Sequence, residues 1–158
     1  MNAAVETGTT VVLTFEEWMI RDLTALVKAA YDESPVMRSF DFSEKRVHEM
    51  IALGVFAPDR VFGVAYVDMS EKEILGMLTA TISGVSYSEE VSASDVFSYI
   101  KPAHREDGVA RMQLIESYMR WAARAGIKKV FFFNGPLVGG GNVEGWQVMG
   151  QRVMRVLK

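Results

Sequence analysis

Tyr99-Ile100-Lys101-Pro102-Ala103-His104-Arg105-Glu106-Asp107-Gly108-Val109-Ala110 is the stretch from which the architecture of this chain follows. Val91 to Ile100 reads as a strand that runs directly into it. From Glu106 an amphipathic helix runs out of it. An Arg-x-x-Gly-x-Ala turn between the two leaves backbone N–H groups unpaired at a helix N-terminus, where the peptide dipoles favour negative charge. Such a turn is suited to an anion, and a phosphate is the best fit.

Working outward, the helix from Glu106 directs Val109, Met112, Ile115, Met119, Ala122 and Ala123 inward and Arg111, Glu116, Arg120 and Arg124 outward, with Gly126 at its C-terminal end. Val130 to Phe133 is a continuous apolar run, the pattern of a strand buried on both faces. Upstream, Val61 to Val67 and Ile74 to Ser83 form a hairpin around the charged turn Asp68 to Glu73, and Gly84 to Glu90 reads as a polar loop. Thr10 to Leu13 is a short strand. Thr14-Phe15-Glu16-Glu17 then reads as a capping box that opens a helix with Met19, Leu23, Leu26, Val27 and Ala30 inward. That helix stops before Pro35. Ser43 caps a second one, with Val47, Met50 and Ile51 inside. Beyond a Gly139–Gly141 loop, Asn142 caps a short helix to Met149, and Gln151 to Leu157 forms a terminal strand that could pair internally or reach a second copy. The order β-α-α-β-β-β-α-β-α-β is mixed α/β.

The 158 residues suffice for a single domain with a real core, residues 1–8 being a loose tail. Hydrophobic residues make up 49% and charged residues 23%, the balance of a globular protein. The absence of cysteine excludes disulfides, thiolate zinc sites and cysteine nucleophiles. His48 and His104 are too few for a histidine-based metal site. No apolar run reaches the length of a membrane span, and the start lacks a signal-peptide pattern, so a cytoplasmic protein is expected. The net charge of −3 is unevenly spread: residues 1–100 carry 7 Lys+Arg against 16 Asp+Glu, residues 101–158 carry 10 against 4. The basic part holds the turn and would attract a polyanion, while the acidic part suits a cationic partner or is a solvated surface. Nucleic acid is a weak expectation, because no recognition motif is visible and the whole chain is acidic.

A short motif such as Arg-x-x-Gly-x-Ala gains meaning from a preceding strand and a following helix. In that setting, Tyr99-Ile100-x-Pro102-x-x-Arg105-x-x-Gly108-x-Ala110 resembles the GNAT N-acetyltransferases, and the likeness runs from the Thr14 helix through Asn134. Tyr31-Asp32-Glu33-Ser34-Pro35 is similar to a loop of small, partly phage-encoded members. The resemblance implies a mixed, mostly antiparallel sheet splayed at the coenzyme A site, with helices on both faces. It also implies acetyl-CoA as co-substrate and no metal. The backbone of Tyr99 and Ile100 would pair with the pantetheine arm. Amides of Arg105, Asp107, Gly108, Val109 and Ala110 would surround the pyrophosphate, with Gly108 and Ala110 small where backbone must approach phosphate. Asn134 would hydrogen-bond the cofactor arm. Glu106 and Asp107 complement the helix dipole but repel a pyrophosphate unless they face solvent. Many relatives dimerise, so a homodimer is an open expectation.

Acetyl transfer to an amine needs a base near the acceptor. Asp95 lies one position beyond the place where relatives often carry a catalytic glutamate, a place held here by Ser94. Strand alternation puts Asp95, Phe97 and Tyr99 on one face. Glu33, at the end of the first helix, is the second candidate, and Glu89 and Glu90 are loop charges that could line a cleft. Relatives often carry a general-acid tyrosine where this chain has Trp146. An indole N–H does not release its proton at neutral pH, so Tyr99 or solvent would have to serve. His104 could help neutralise phosphate, and His48 is a helix-surface residue. The expected function is acetyl transfer from acetyl-CoA to a primary amine of a small, cationic molecule or peptide. The alternative is a catalytically impaired relative that only binds coenzyme A or another protein.

Overall fold

Strand pairing organises the computed structural model, which describes residues 9–132. Five strands lie in the order β1-β2-β3-β4-β5: β1 (Thr10–Thr14), β2 (Val61–Asp68), β3 (Glu73–Val85), β4 (Ser88–Ile100) and β5 (Val130–Phe131). The first three junctions are antiparallel and β4 pairs with β5 in parallel. A parallel neighbour requires a crossover, which helix α3 (Val109–Arg124) supplies. Helices α1 (Ile20–Glu33) and α2 (Glu44–Phe56) cover the opposite face of the sheet. The fold is the mixed, mostly antiparallel α/β arrangement expected, with helices on both faces.

Two buried clusters follow from period-two alternation along the strands. Ala65, Val67, Met77 and Tyr99 meet Leu23, Leu26, Val27 and Ala30 of α1 and Ile51 of α2. Val64, Tyr66, Leu78, Ala80 and Ile100 meet Ala110, Leu114, Tyr118 and Ala122 of α3. On this second face Phe62 stacks on Trp121 with ring centroids 4.9 Å apart, and Tyr118 meets Phe132 edge-on.

The α1 face and its end before Pro35 are as the sequence predicts, and Ser43 caps α2 by accepting from the Arg46 N–H at 3.3 Å. His48 is exposed on α2, as expected. The Thr14 capping box does not form. Thr14 ends β1, the Phe15 N–H donates to Gly63 O, and the Glu16 carboxylate accepts from the Trp18 indole instead of the backbone. A short 3-10 turn, Glu17–Met19, precedes α1, whose start carries no side-chain cap.

The loop expected over Gly84 to Glu90 is strand except for a two-residue turn at Ser86 and Tyr87. Its polar composition reflects a hairpin end exposed on both faces, and Glu90 pairs with Lys129 at 3.1 Å. Helix α3 begins at Val109, with Gly108 as N-cap, rather than at Glu106. It is also rotated from the expected face: Ile115 and Ala122 are buried, but so are Leu114 and Tyr118, while Val109, Met112 and Met119 face outward. Val130 and Phe131 are half-buried, not enclosed on both sides. Gly126, at φ 75°, terminates α3 as expected. The Gly139–Gly141 loop, the Asn142 helix and the Gln151–Leu157 strand lie outside the described residues.

Phe15 is pinned between α2 and β2 because Gly54 and Gly63 carry no side chains. A Cβ on Gly54 would lie 2.6 Å from the Phe15 ring, and one on Gly63 would overlap it. Gly63→Ala should therefore lower the unfolding free energy by about 1–3 kcal/mol in urea titration, the usual range for overpacking. In a Phe15→Leu background the same change should cost clearly less, since the ring that clashes is gone.

Candidate functional site

Strand β4 carries a register shift that governs the site. Phe97 faces Thr79 and Asp95 faces Ala80, so Val96 is one residue extra on β4. Cross-strand partners share a face. Thr79 reaches Met50 of α2, whereas Ala80 belongs to the α3 cluster. Asp95 therefore lies on the α3 face, and Phe97 and Tyr99 lie on the α1–α2 face. The expectation that all three share one side is corrected by this bulge. Asp95 is 5% exposed and close enough to Tyr118 to raise that phenol's pKa, after the larger effect of burial. The Tyr118 hydroxyl donates to Phe131 O at 3.2 Å, at the junction with β5. Parallel pairing joins Ala93 to Val130 and Ser94 to Phe131, and β4 continues six residues further, to Ile100.

On the other face, Arg105 gathers three segments. Its Nη1 and Nη2 donate to the two carboxylate oxygens of Glu33 at 2.6 and 3.0 Å, and its Nε donates to Ile100 O at 2.7 Å. The guanidinium lies 5.0 Å from the Tyr99 ring centroid, and the Tyr99 hydroxyl donates to Glu33 Oε2 at 2.7 Å. Hydrogen bonds from Arg105 and then Tyr99 hold the Glu33 carboxyl below its ordinary range. Burial, reinforced by Glu33, pushes the Tyr99 phenol up to about 12. Two candidate catalytic groups, Glu33 and Tyr99, thus meet beside the turn, and the third, Asp95, is across the sheet. This use of the Arg105 side chain had no local sequence signal, because Glu33 is 72 residues away.

The turn itself has the geometry that an anion site needs. A 3-10 turn, Pro102–His104, leads to Arg105, and Gly108 sits at φ 72°, where an L side chain is strained. The Gly108 N–H donates to Arg105 O, and the Asp107 carboxylate accepts from the Val109 N–H at 3.0 Å. Among the described residues the N–H groups of Glu106, Asp107, Ala110 and Arg111 have no hydrogen-bond partner. Ala110 is buried against the sheet, and Glu106 and Asp107 are exposed. His104, half-buried, donates its N–H to Lys101 O. This frame suits an anion: a left-handed glycine, a small buried residue and N–H groups outside the helical ladder at the start of a 16-residue helix. One carboxylate, Asp107, already sits on it. Glu89 and Glu90 are at the far end of β4, and Asn134 and Trp146 lie outside the described residues. Those described residues contain no cluster of three potential metal ligands and no helix long and apolar enough to cross a membrane.

No protein-family model and no curated protein sequence matches this chain. Solved structures share its fold. A GNAT family acetyltransferase from Staphylococcus aureus aligns with a TM-score of 0.64 at 13% identity, over 94% of this chain and 99% of its own. A predicted acetyltransferase from Clostridium acetobutylicum, solved with acetyl-CoA, aligns at 0.65 and 11% identity, over 89% and 96%. An aminoglycoside acetyltransferase from an uncultured soil metagenomic sample, in complex with sisomicin, aligns at 0.60 and 14% identity, over 94% and 99%. The chain has the fold of the GNAT acetyltransferases.

Because the Glu33 carboxyl is held below 4.5, its ordinary value, its charge contributes to stability in full above about pH 5, and the contribution drains as pH falls through the lowered value. Glu33→Gln should lower stability in urea at pH 7 by about 1 kcal/mol or less, since the pair is partly solvated. The gap from the unsubstituted protein should narrow steadily below about pH 4.5. A gap of constant size from neutral to acid pH would contradict this assignment.

Proposed function

We propose that this chain is an acetyl-CoA-dependent N-acetyltransferase acting on a primary amine. The observation that carries the reading is the turn after β4, where Gly108 at φ 72° opens the N-terminus of α3 directly beyond the end of the strand. The outward amides around Arg105, Asp107, Gly108, Val109 and Ala110 take the pyrophosphate, and the backbone of Tyr99 and Ile100 follows the pantetheine arm. Asn134 joins from beyond the described residues. Acetyl-CoA supplies the activated acetyl group. The amine nitrogen bonds to its thioester carbonyl carbon, the C–S bond breaks, and a backbone N–H of the strand steadies the oxyanion.

Among this chain's side chains, Asp95 flanks the Val96 bulge on β4 and takes the amine proton, through water where needed. Glu33 is the weaker base because Arg105 lowers its proton affinity. Tyr99 keeps its proton over the whole neutral range, and is the phenol available to protonate the departing thiolate. The acceptor is a small or peptidic cation, in keeping with the acidic first hundred residues and with the sisomicin-bound acetyltransferase of the same fold. A second reading, a catalytically impaired fold-alike that binds coenzyme A or another protein, is favoured by one contact: the Asp107 carboxylate on the Val109 N–H, which competes with a phosphate.

Acetyl-CoA should raise the unfolding temperature in proportion to ln(1 + [L]/Kd), and thiol release should follow on adding a polyamine or basic peptide panel. Binding without thiol release points to the coenzyme A-binding form of the second reading, and no thermal shift at saturating cofactor removes the enzyme reading and leaves only the protein-binding form. Asp95→Asn should lower kcat by about 10²-fold or more, with the KM for acetyl-CoA little changed. Gly108→Glu should abolish the thermal shift, at a stability cost of about 1–2 kcal/mol for a side chain in the left-handed region. An unchanged affinity would take the turn out of the proposed site.

A further inference from the structure

The connector between α1 and α2, residues 34–43, is a self-organised unit hung from the last turn of α1. The Tyr31 hydroxyl donates to Phe40 O at 2.8 Å, the Met37 N–H donates to Ser34 Oγ, and the Arg38 N–H donates to Ser34 O. Lys28 lies 4.8 Å from the Tyr31 ring centroid and 5.1 Å from that of Phe42, and the two rings meet at 5.1 Å. Met37 and Phe42 pack partly on the core, while Val36 and Phe40 project into solvent. Glu33 is the residue of α1 that directly precedes this unit, and its carboxylate carries the two Arg105 bonds and the Tyr99 bond. Arg105 is the first residue of the anion turn and is also tied to Ile100 O. No other side-chain hydrogen bond or ion pair among the described residues joins α1 or the connector to the turn.

We propose that the Glu33–Arg105 pair is a positioning strut that couples the order of the anion turn to the order of the α1–α2 connector, so that occupation of the turn organises the connector's surface through Glu33, the last residue of α1. The geometry is specific to this pairing. A bidentate guanidinium–carboxylate contact fixes orientation as well as distance, and the third bond, to Ile100 O, makes the guanidinium rigid with respect to β4. Neither Glu33 nor the connector needs to touch the anion. What is bound at the turn restrains Arg105, Arg105 restrains Glu33, and Glu33 restrains the chain that follows it. By linkage, a ligand held by the connector tightens the turn by the same factor. The identity of the anion as acetyl-CoA rests on the function proposed above, but the strut itself does not.

The test is hydrogen exchange read by mass spectrometry on the full chain, with Glu33→Gln and Arg105→Lys. Each variant should perturb the segment that it does not belong to. Without ligand, Glu33→Gln should speed exchange over residues 101–111 by about five-fold or more, and Arg105→Lys should do the same over residues 34–42, with β2 unchanged as the internal control. Unchanged exchange in the opposite segment, or an equal rise in β2 that marks general destabilisation, overturns the strut. With acetyl-CoA, protection should reach residues 34–42 in the unsubstituted protein and stay confined to the turn in Glu33→Gln; protection of residues 34–42 that persists in Glu33→Gln also overturns it. If acetyl-CoA protects nothing in the unsubstituted protein, the proposed cofactor fails, and the ligand-free comparison still decides the strut.

Discussion

One extra residue in β4, Val96, determines which side of the sheet each chemical group meets. Without it, alternation would carry Asp95 to the α1–α2 face beside Tyr99 and Glu33, and three ionisable groups would crowd one pocket. With it, Asp95 turns toward Tyr118 and α3, while Tyr99 stays with α1. A bulge bends its strand and increases the local twist. This one sits two residues past Ser94, which pairs with Phe131 of β5. The same irregularity thus separates the carboxylates and shapes the end of the sheet where the turn is mounted.

The opposite face is organised by charge rather than by backbone. Arg105 shares one hydrogen-bonded node with Glu33, Tyr99 and Ile100 O. The pair is partly solvated, so its net contribution to stability is modest. Its effect is directional: it spends the guanidinium inside the protein. An anion at this turn therefore meets backbone N–H groups and the helix dipole, not the side chain of the arginine that heads the motif. It also leaves Glu33 a weak base and Tyr99 a phenol that stays protonated, an asymmetry set by environment between two groups that share a hydrogen bond.

Much of this was legible in the sequence where one local rule acted alone. The α1 stripe, the stop before Pro35, the Ser43 cap, the β2–β3 hairpin and the left-handed Gly126 each follow from such a rule. Prediction failed where two patterns competed. Helix α3 has two apolar stripes, one through Met112 and Met119 and one through Leu114 and Tyr118, and hydropathy cannot rank them. Tyr118 lies inside with its hydroxyl satisfied by Phe131 O. The Thr14 capping box lost to strand pairing that continues through Phe15, which only the paired glycines of α2 and β2 make possible. The bulge carried no glycine to announce it. In the site, the turn and the identities of Glu33, Tyr99 and Asp95 could be read. Their division between two faces, and the bond across 72 residues that unites the first two with Arg105, could not.

The Asp107 carboxylate on the Val109 N–H is the point where the fold and the proposed chemistry pull against each other. An exposed side-chain-to-backbone bond of this kind, one residue before the Gly108 N-cap, is worth about 0.5–1.5 kcal/mol. A pyrophosphate that displaces it forfeits that amount, which corresponds to about two- to thirteen-fold in affinity. The loss is bounded because the N–H itself remains: the incoming phosphate oxygen would replace one anionic acceptor by another at the same donor. Asp107 is also exposed and can rotate into solvent, where its charge is screened. Under the proposed chemistry the carboxylate therefore weakens occupancy of the turn without forbidding it, and it keeps the Val109 N–H paired when no anion is bound.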